Sequence, residues 1–163
     1  MRVSARADYA LRAVAELAAN DPAPLKRDQI AQRQDIPLDY LQTVLSELKH
    51  VGIVASQRGS SGGFRLARPA AEISLADVIR AVDGPMANVR GERPERVEYH
   101  GPARHLRDVW IAVRASLRGI LESISVADLV AGELPDHVAR LMEAPDAWVS
   151  LNRVRGTPGR EPN

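Results

Sequence analysis

The chain has no cysteine. That excludes disulfides, thiolate zinc sites and thiol redox switches together. Aromatic residues make up only 4 % of the 163 positions, so a core must be built from Ala, Leu, Val and Ile. No large excess of one charge is present either. The net charge of +1 neither favours nor excludes a polyanionic partner. No apolar run approaches the roughly 18 residues that a membrane-crossing helix needs. Met1-Arg2-Val3-Ser4 leads into a polar-spiked segment unlike a secretory leader. A cytoplasmic chain with no membrane partner is the expectation. No Ser/His/Asp set, paired carboxylates or phosphate loop stands out, so no enzymatic activity and no cofactor are expected.

What is present is patterned. The first 68 residues carry 10 Lys and Arg against 7 Asp and Glu, whereas the rest carry 12 against 14. The mildly basic half comes first. A first helix is expected from about Ser4 to Asn20. Ser4 can cap it, and Leu11, Val14, Ala15, Leu17 and Ala18 lie at helical spacing. Pro22 and Pro24 end it. A short helix over about Lys26–Gln34 follows, with Ile30 and Ala31 inward. Then come the turn Asp35-Ile36-Pro37 and a third helix over Leu38–His50. Leu41, Val44, Leu45 and Leu48 form its apolar face, and Gly52 suits a left-handed stop.

Ile53–Ser56 and Phe64–Leu66 read as two strands joined by the glycine-rich tip Gln57–Gly63. Two short helices, a tight turn and a hairpin are the ingredients of a winged helix-turn-helix. Ser74 begins a fourth helix that stops at Asp83-Gly84-Pro85. Residues 86–101 show no helical stripe. From Pro102 a long helix is expected, with Leu106, Val109, Trp110, Val113, Leu117, Ile120, Leu121 and Ile124 recurring every three to four residues. Ser125 can cap a further short helix up to Val130. The tail from Gly156 has the composition of a disordered terminus. The fold class is therefore mainly α with a small β-hairpin wing. The expected organisation is a DNA-binding domain over 1–84, a linker or sensor segment over 85–101, a dimerisation helix with a short following helix over 102–130, and an extension over 131–163.

Several segments resemble one family. They are Ser4–Ala13, Gln29–Ala31, Ile36–Leu41, the hairpin Gly52–Ala67 and the fourth-helix segment Ile73–Gly84. In these the chain resembles the iron–sulfur-regulator family of winged-helix transcription factors, the IscR, NsrR and CymR type. The resemblance covers roughly residues 1–130 and is most specific in the first 84; residues 131–163 lie beyond it. It implies a sequence-specific regulator of transcription that binds double-stranded DNA; the family holds repressors and activators, and a repressor is the expectation here. The stripe from Leu106 to Ile124 is too long and continuous for one small domain to cover, so a homodimer on an inverted-repeat site is expected. The cluster sensors of that family carry cysteines between the fourth helix and the long helix. Here the window Pro85–Leu106 holds none, so a cysteine-ligated cluster is excluded and any effector is expected to be a small molecule or partner.

The candidate DNA-reading residues follow from chemistry and position. Arg58 heads the tip Arg58-Gly59-Ser60-Ser61-Gly62-Gly63. A guanidinium there suits the negative potential of a narrow minor groove, and the glycines allow a close approach. Asp39, Tyr40, Gln42, Thr43 and Ser46 belong to the third helix. Gln can pair with adenine, Thr can meet a thymine methyl, and Asp can accept from cytosine or cap the helix. Tyr40 is expected to pack, with its hydroxyl toward a phosphate at most. Arg6, Lys26 and Arg27 sit at helix starts, where phosphates are favoured. His100 and His105 lack the spacing that puts two imidazoles on one helical face, so surface positions are expected for them rather than metal ligation. Trp110 is expected in the dimer core. The alternative reading is a winged-helix module for protein contacts, without specific DNA binding.

Overall fold

The computed structural model describes residues 3–59 and 62–149. Helix α1 (Ala5–Ala19) starts where Ser4 Oγ accepts the Ala7 N–H at 2.9 Å. Its buried face is Ala7, Ala10, Ala13, Val14 and Leu17. The expected stripe was rotated from this: Leu11, Ala15 and Ala18 are only half-buried. Alanines carry too little hydrophobicity to mark a face, yet their small size lets other helices pack close. Here α1 packs against α3 (Leu38–His50) and α4 (Leu75–Asp83).

Helix α2 (Arg27–Gln34) ends at Asp35, which adopts a left-handed φ of 49°. Asp tolerates that conformation better than most residues. The chain then turns through buried Ile36 into α3, completing the helix-turn-helix. Leu41, Val44, Leu45 and Leu48 are all fully buried, as their spacing predicts. Strands β1 (Val54–Gln57) and β2 (Gly63–Leu66) form the antiparallel wing with Val54 opposite Leu66 and Gln57 opposite Gly63.

The second half departs from expectation in three places. Helix α5 spans Leu106–Leu121, preceded by a short turn at Gly101–Ala103, so it begins later and ends earlier than expected. Ile124 lies outside it and is 5 % exposed, within the chain's own core. The cause is a bridge between Ser74 and Ser125: Leu75 N–H donates to Ile124 O, and Val126 N–H donates to Ile73 O. Both serines also cap helices, Ser74 for α4 and Ser125 for α6 (Val126–Ala131), each in a reciprocal box with Asp77 or Asp128. Second, residues 85–101 contain no α-helix but are packed down. Pro94 and Val97 are buried, and the turn Pro94–Arg96 lies against α5. Third, a helix unforeseen in the sequence, α7 (Asp136–Met142), joins the core through Val138. The tail from Gly156 lies outside the described residues. Among the described residues no helix is long and apolar enough to cross a membrane.

Candidate nucleic-acid interface

The open face of α3 carries Asp39, Tyr40, Gln42, Thr43 and Ser46, all exposed. Exposure of this row follows from the burial of Leu41, Val44, Leu45 and Leu48 on the opposite side of the same helix. Gln42 is held by its neighbour: Arg27 Nη1 donates to Gln42 Oε1 at 2.9 Å, across the helix-turn-helix. Arg27 Nε also lies 3.6 Å from Asp28. Asp39 does not cap α3 with its side chain; Pro37 occupies the cap position. Its carboxylate sits in the first turn, where the positive end of the helix favours it. Thr43 Oγ1 approaches Asp39 O at 3.4 Å. Tyr40 packs edge-on against Tyr9 with ring centroids 5.6 Å apart, yet remains 47 % exposed.

Arg6 is committed elsewhere. Its guanidinium donates to Glu47 on α3, and that bond is the main reason its pKa is raised above the ordinary arginine value. It still borders one surface hollow with Asp39, Tyr40 and Thr43. Lys26 is exposed at the start of α2.

The wing is tied to this surface by a contact that the sequence reading missed. Leu25 forms a β-bridge with Phe64: Leu25 N–H donates to Phe64 O at 2.9 Å, and Phe64 N–H donates to Leu25 O at 2.7 Å. Leu25 therefore acts as a third rung beside β2 and immediately precedes Lys26 and Arg27. A Cβ on Gly63 would come 2.4 Å from Leu25 O, so only glycine fits there. At Gly62 a Cβ would meet Gln57 O at 2.3 Å, which makes this glycine a condition of the tight tip. Gly59 adopts φ +110°. Arg58 is exposed directly after β1. Ser60 and Ser61 lie outside the described residues. The only hint of the Leu25 rung was the extended backbone that Pro24 favours beside it.

Residues 3–132 match the Rrf2 family, described as an iron-dependent transcriptional regulator. The chain belongs to the Rrf2 family. It is 46 % identical over 144 residues to the HTH-type regulator Rv1287 of Mycobacterium tuberculosis, covering 88 % of this chain and 89 % of that one. That stretch is longer than the family match, so similarity continues past residue 132. CymR of Bacillus subtilis is 32 % identical over 80 % of this chain and 91 % of its own. In structure the chain is similar to the B. subtilis global cysteine regulator CymR, with a TM-score of 0.69, 30 % identity, and coverage of 81 % and 98 %. It is also similar to T. potens IscR, with a TM-score of 0.67, 28 % identity, and coverage of 81 % and 88 %. The winged-helix fold and the role in transcription regulation stand on these relatives. As a family member the chain is a DNA-binding regulator rather than an enzyme.

The residues present do not fit the iron chemistry in the family's description. There is no thiolate in the whole sequence. Among the described residues no three His, Asp or Glu side chains converge on a point that could hold a metal. His105 instead lies 3.4 Å from Asp108 on its own helix turn.

Proposed function

We propose that this regulator works as a homodimer on an inverted-repeat operator, through the third helix and the wing. The observation that carries the dimer is α5. None of its sixteen residues is buried, although Leu106, Val109, Trp110, Val113, Leu117, Ile120 and Leu121 form an apolar stripe along it. Val109 is 50 % exposed. A helix of that length with no buried residue is not stable alone in water, and a second copy of the same stripe would cover it. Two-fold pairing gives two recognition helices, to be seated one DNA turn, about 34 Å, apart.

On the DNA, Gln42 reads a base edge with its Nε2 amide hydrogens while Arg27 holds its Oε1. Asp39, Thr43 and Ser46 supply further base or phosphate contacts. Lys26 and Tyr40 lie against the backbone. Arg58 enters the minor groove beside Gly59, Gly62 and Gly63, and Ser60 and Ser61 are assigned to the same DNA contact. Arg6 contributes indirectly, by bracing Glu47 of α3. Ile124 leaves the dimer surface because its own core already covers it. Repression is the proposed sense of regulation: a small dimer seated across a promoter acts by occupancy and needs no further contact surface.

The test is footprinting on the promoter of its own operon, in chloride buffer, with affinity followed across salt. A two-fold symmetric footprint and a steep loss of affinity with rising salt are expected. An asymmetric footprint, or monomers by light scattering at micromolar concentration, would overturn the reading. A protein-interaction module would give no sequence-dependent protection at all.

A further inference from the structure

Four arginines converge on a cavity of about 300 Å³ that the DNA-binding surface does not use. Arg80 comes from α4, Arg93 from the segment between α4 and α5, and Arg114 and Arg118 from adjacent turns of α5. Pro85, Met86 and Glu95 complete the lining. The charges are only partly answered. Glu95 accepts from Arg114 Nη1, and Glu122, at the end of α5, accepts from Arg80 Nη2 and Arg118 Nε. Asp77 lies 3.8 Å from Arg80 Nη1. Among the described residues Arg93 has no carboxylate within ion-pair distance. The lining itself therefore holds four guanidiniums and one carboxylate.

Glu95, Glu122 and Asp77 answer Arg114, Arg118 and Arg80, so the positive charge left over is centred on Arg93, beside guanidinium forks that retain free N–H donors. Each guanidinium offers a planar fork of N–H donors that matches a carboxylate or a phosphate two bonds at a time. The volume is at the lower end of the range for small-ligand sites. Pro85 and Met86 add a short apolar floor, enough for a compact carbon skeleton but not for a large one.

We propose that this cavity binds a compact dianion, an inorganic or organic phosphate or a short dicarboxylate, and that it is the effector site of this regulator. The inference rests on the regulatory reading above. A dianion here bridges α4, which belongs to the winged-helix core, to α5 and to the segment between them. Holding those elements together favours one arrangement of the two wings, which is how occupancy reaches the operator.

The experiment is calorimetric titration of the full chain with inorganic phosphate and, separately, malonate, at ionic strength held constant with chloride. One anion per chain is expected to bind saturably in at least one arm, and which arm succeeds identifies the chemistry. Arg93→Gln breaks no ion pair and should weaken that binding about tenfold or more. Arg140→Gln on α7, outside the cavity, should leave it unchanged. If Arg93→Gln melts early in chloride, Arg118→Gln takes its place. The same anion should shift operator affinity in the wild type and not in the cavity variant. Absence of saturable binding in both arms, equal binding by the cavity variant, or binding with no shift in operator affinity would each overturn the proposal. Operator binding in chloride alone is measured beside it. If that survives while anion binding fails, only the effector site falls; if it fails, the regulatory reading falls first.

Discussion

The winged-helix half and the α5 half are built on different terms. From Ala7 to Val82 every α-helix and both strands send residues into one shared core, and Leu41, Val44, Leu45 and Leu48 alone fill one whole face of α3. In α5 the apolar stripe is just as regular, yet no residue is buried. The first half is finished by its own chain. Helix α5 itself is held by edges, the turn at Pro94–Arg96, the half-buried Ile120 and Leu121, and ion pairs to Glu95 and Glu122, while Ile124, Val126 and Val138 beyond it enter the core. Two stretches of equal periodicity can thus have opposite fates, because periodicity shows that a face is apolar and not what covers it.

That contrast can be broken first where it is strongest. Leu45→Ala removes a fully buried side chain and should cost about 2–5 kcal/mol of unfolding free energy. Val109→Ala, measured in dilute protein, should cost well under about 1 kcal/mol. Urea denaturation of the two variants checks the ratio, and similar losses would show that the α5 half has a core of its own.

Val113→Glu asks what the open stripe is for. In the proposed dimer this carboxylate would be buried between two apolar α5 stripes, so dimerisation should fail and operator affinity fall with it. Sedimentation and a DNA titration read the two effects together. An intact dimer would remove α5 from the interface.

Arg58→Ala sharpens the comparison from the other side, because the winged-helix half should tolerate it structurally. The loss expected is about 1–3 kcal/mol in operator affinity, with thermal stability almost unchanged. Equal operator binding by the variant and the wild type would end the minor-groove role.

The smallest effect is electrostatic. The Arg80 guanidinium, and after it Arg118, hold the Glu122 carboxyl below the usual carboxylate range. Because the folded value is depressed, its contribution is present above the ordinary glutamate pKa. It is lost as pH falls through the depressed value. Glu122→Gln should therefore flatten that acid part of the profile by lowering stability slightly at neutral pH while leaving the acid end unchanged; the drop is small, since the group is exposed and screened. Melting curves across acidic pH would show it; a parallel profile in the variant would mean that the tie between α4 and α5 has no thermodynamic weight.

Much of the fold was legible because local chemistry and tertiary outcome agree. Ser4, Ser74 and Ser125 mark three helix starts, and all three side chains cap. The α3 boundaries and its buried face follow directly from leucine and valine spacing. Less was legible in the candidate interface. The exposed row on α3 could be read, but not the bond from Arg27 that orients Gln42, nor the Glu47 pair that occupies Arg6. Those partners are separated by 15 and 41 positions, and no local pattern joins them.

The sequence by itself determined that thiol chemistry is absent, that two helices, a turn and a hairpin follow one another, and that an apolar helix comes after them. These are properties of composition and of periods shorter than one element. Only the tertiary structure decided that Ile124 belongs to the core, that Val138 reaches it, that Leu25 extends the wing, and that four arginines from three elements share one cavity. Each of those outcomes depends on where a distant backbone passes, and that is set by the packing of the whole chain.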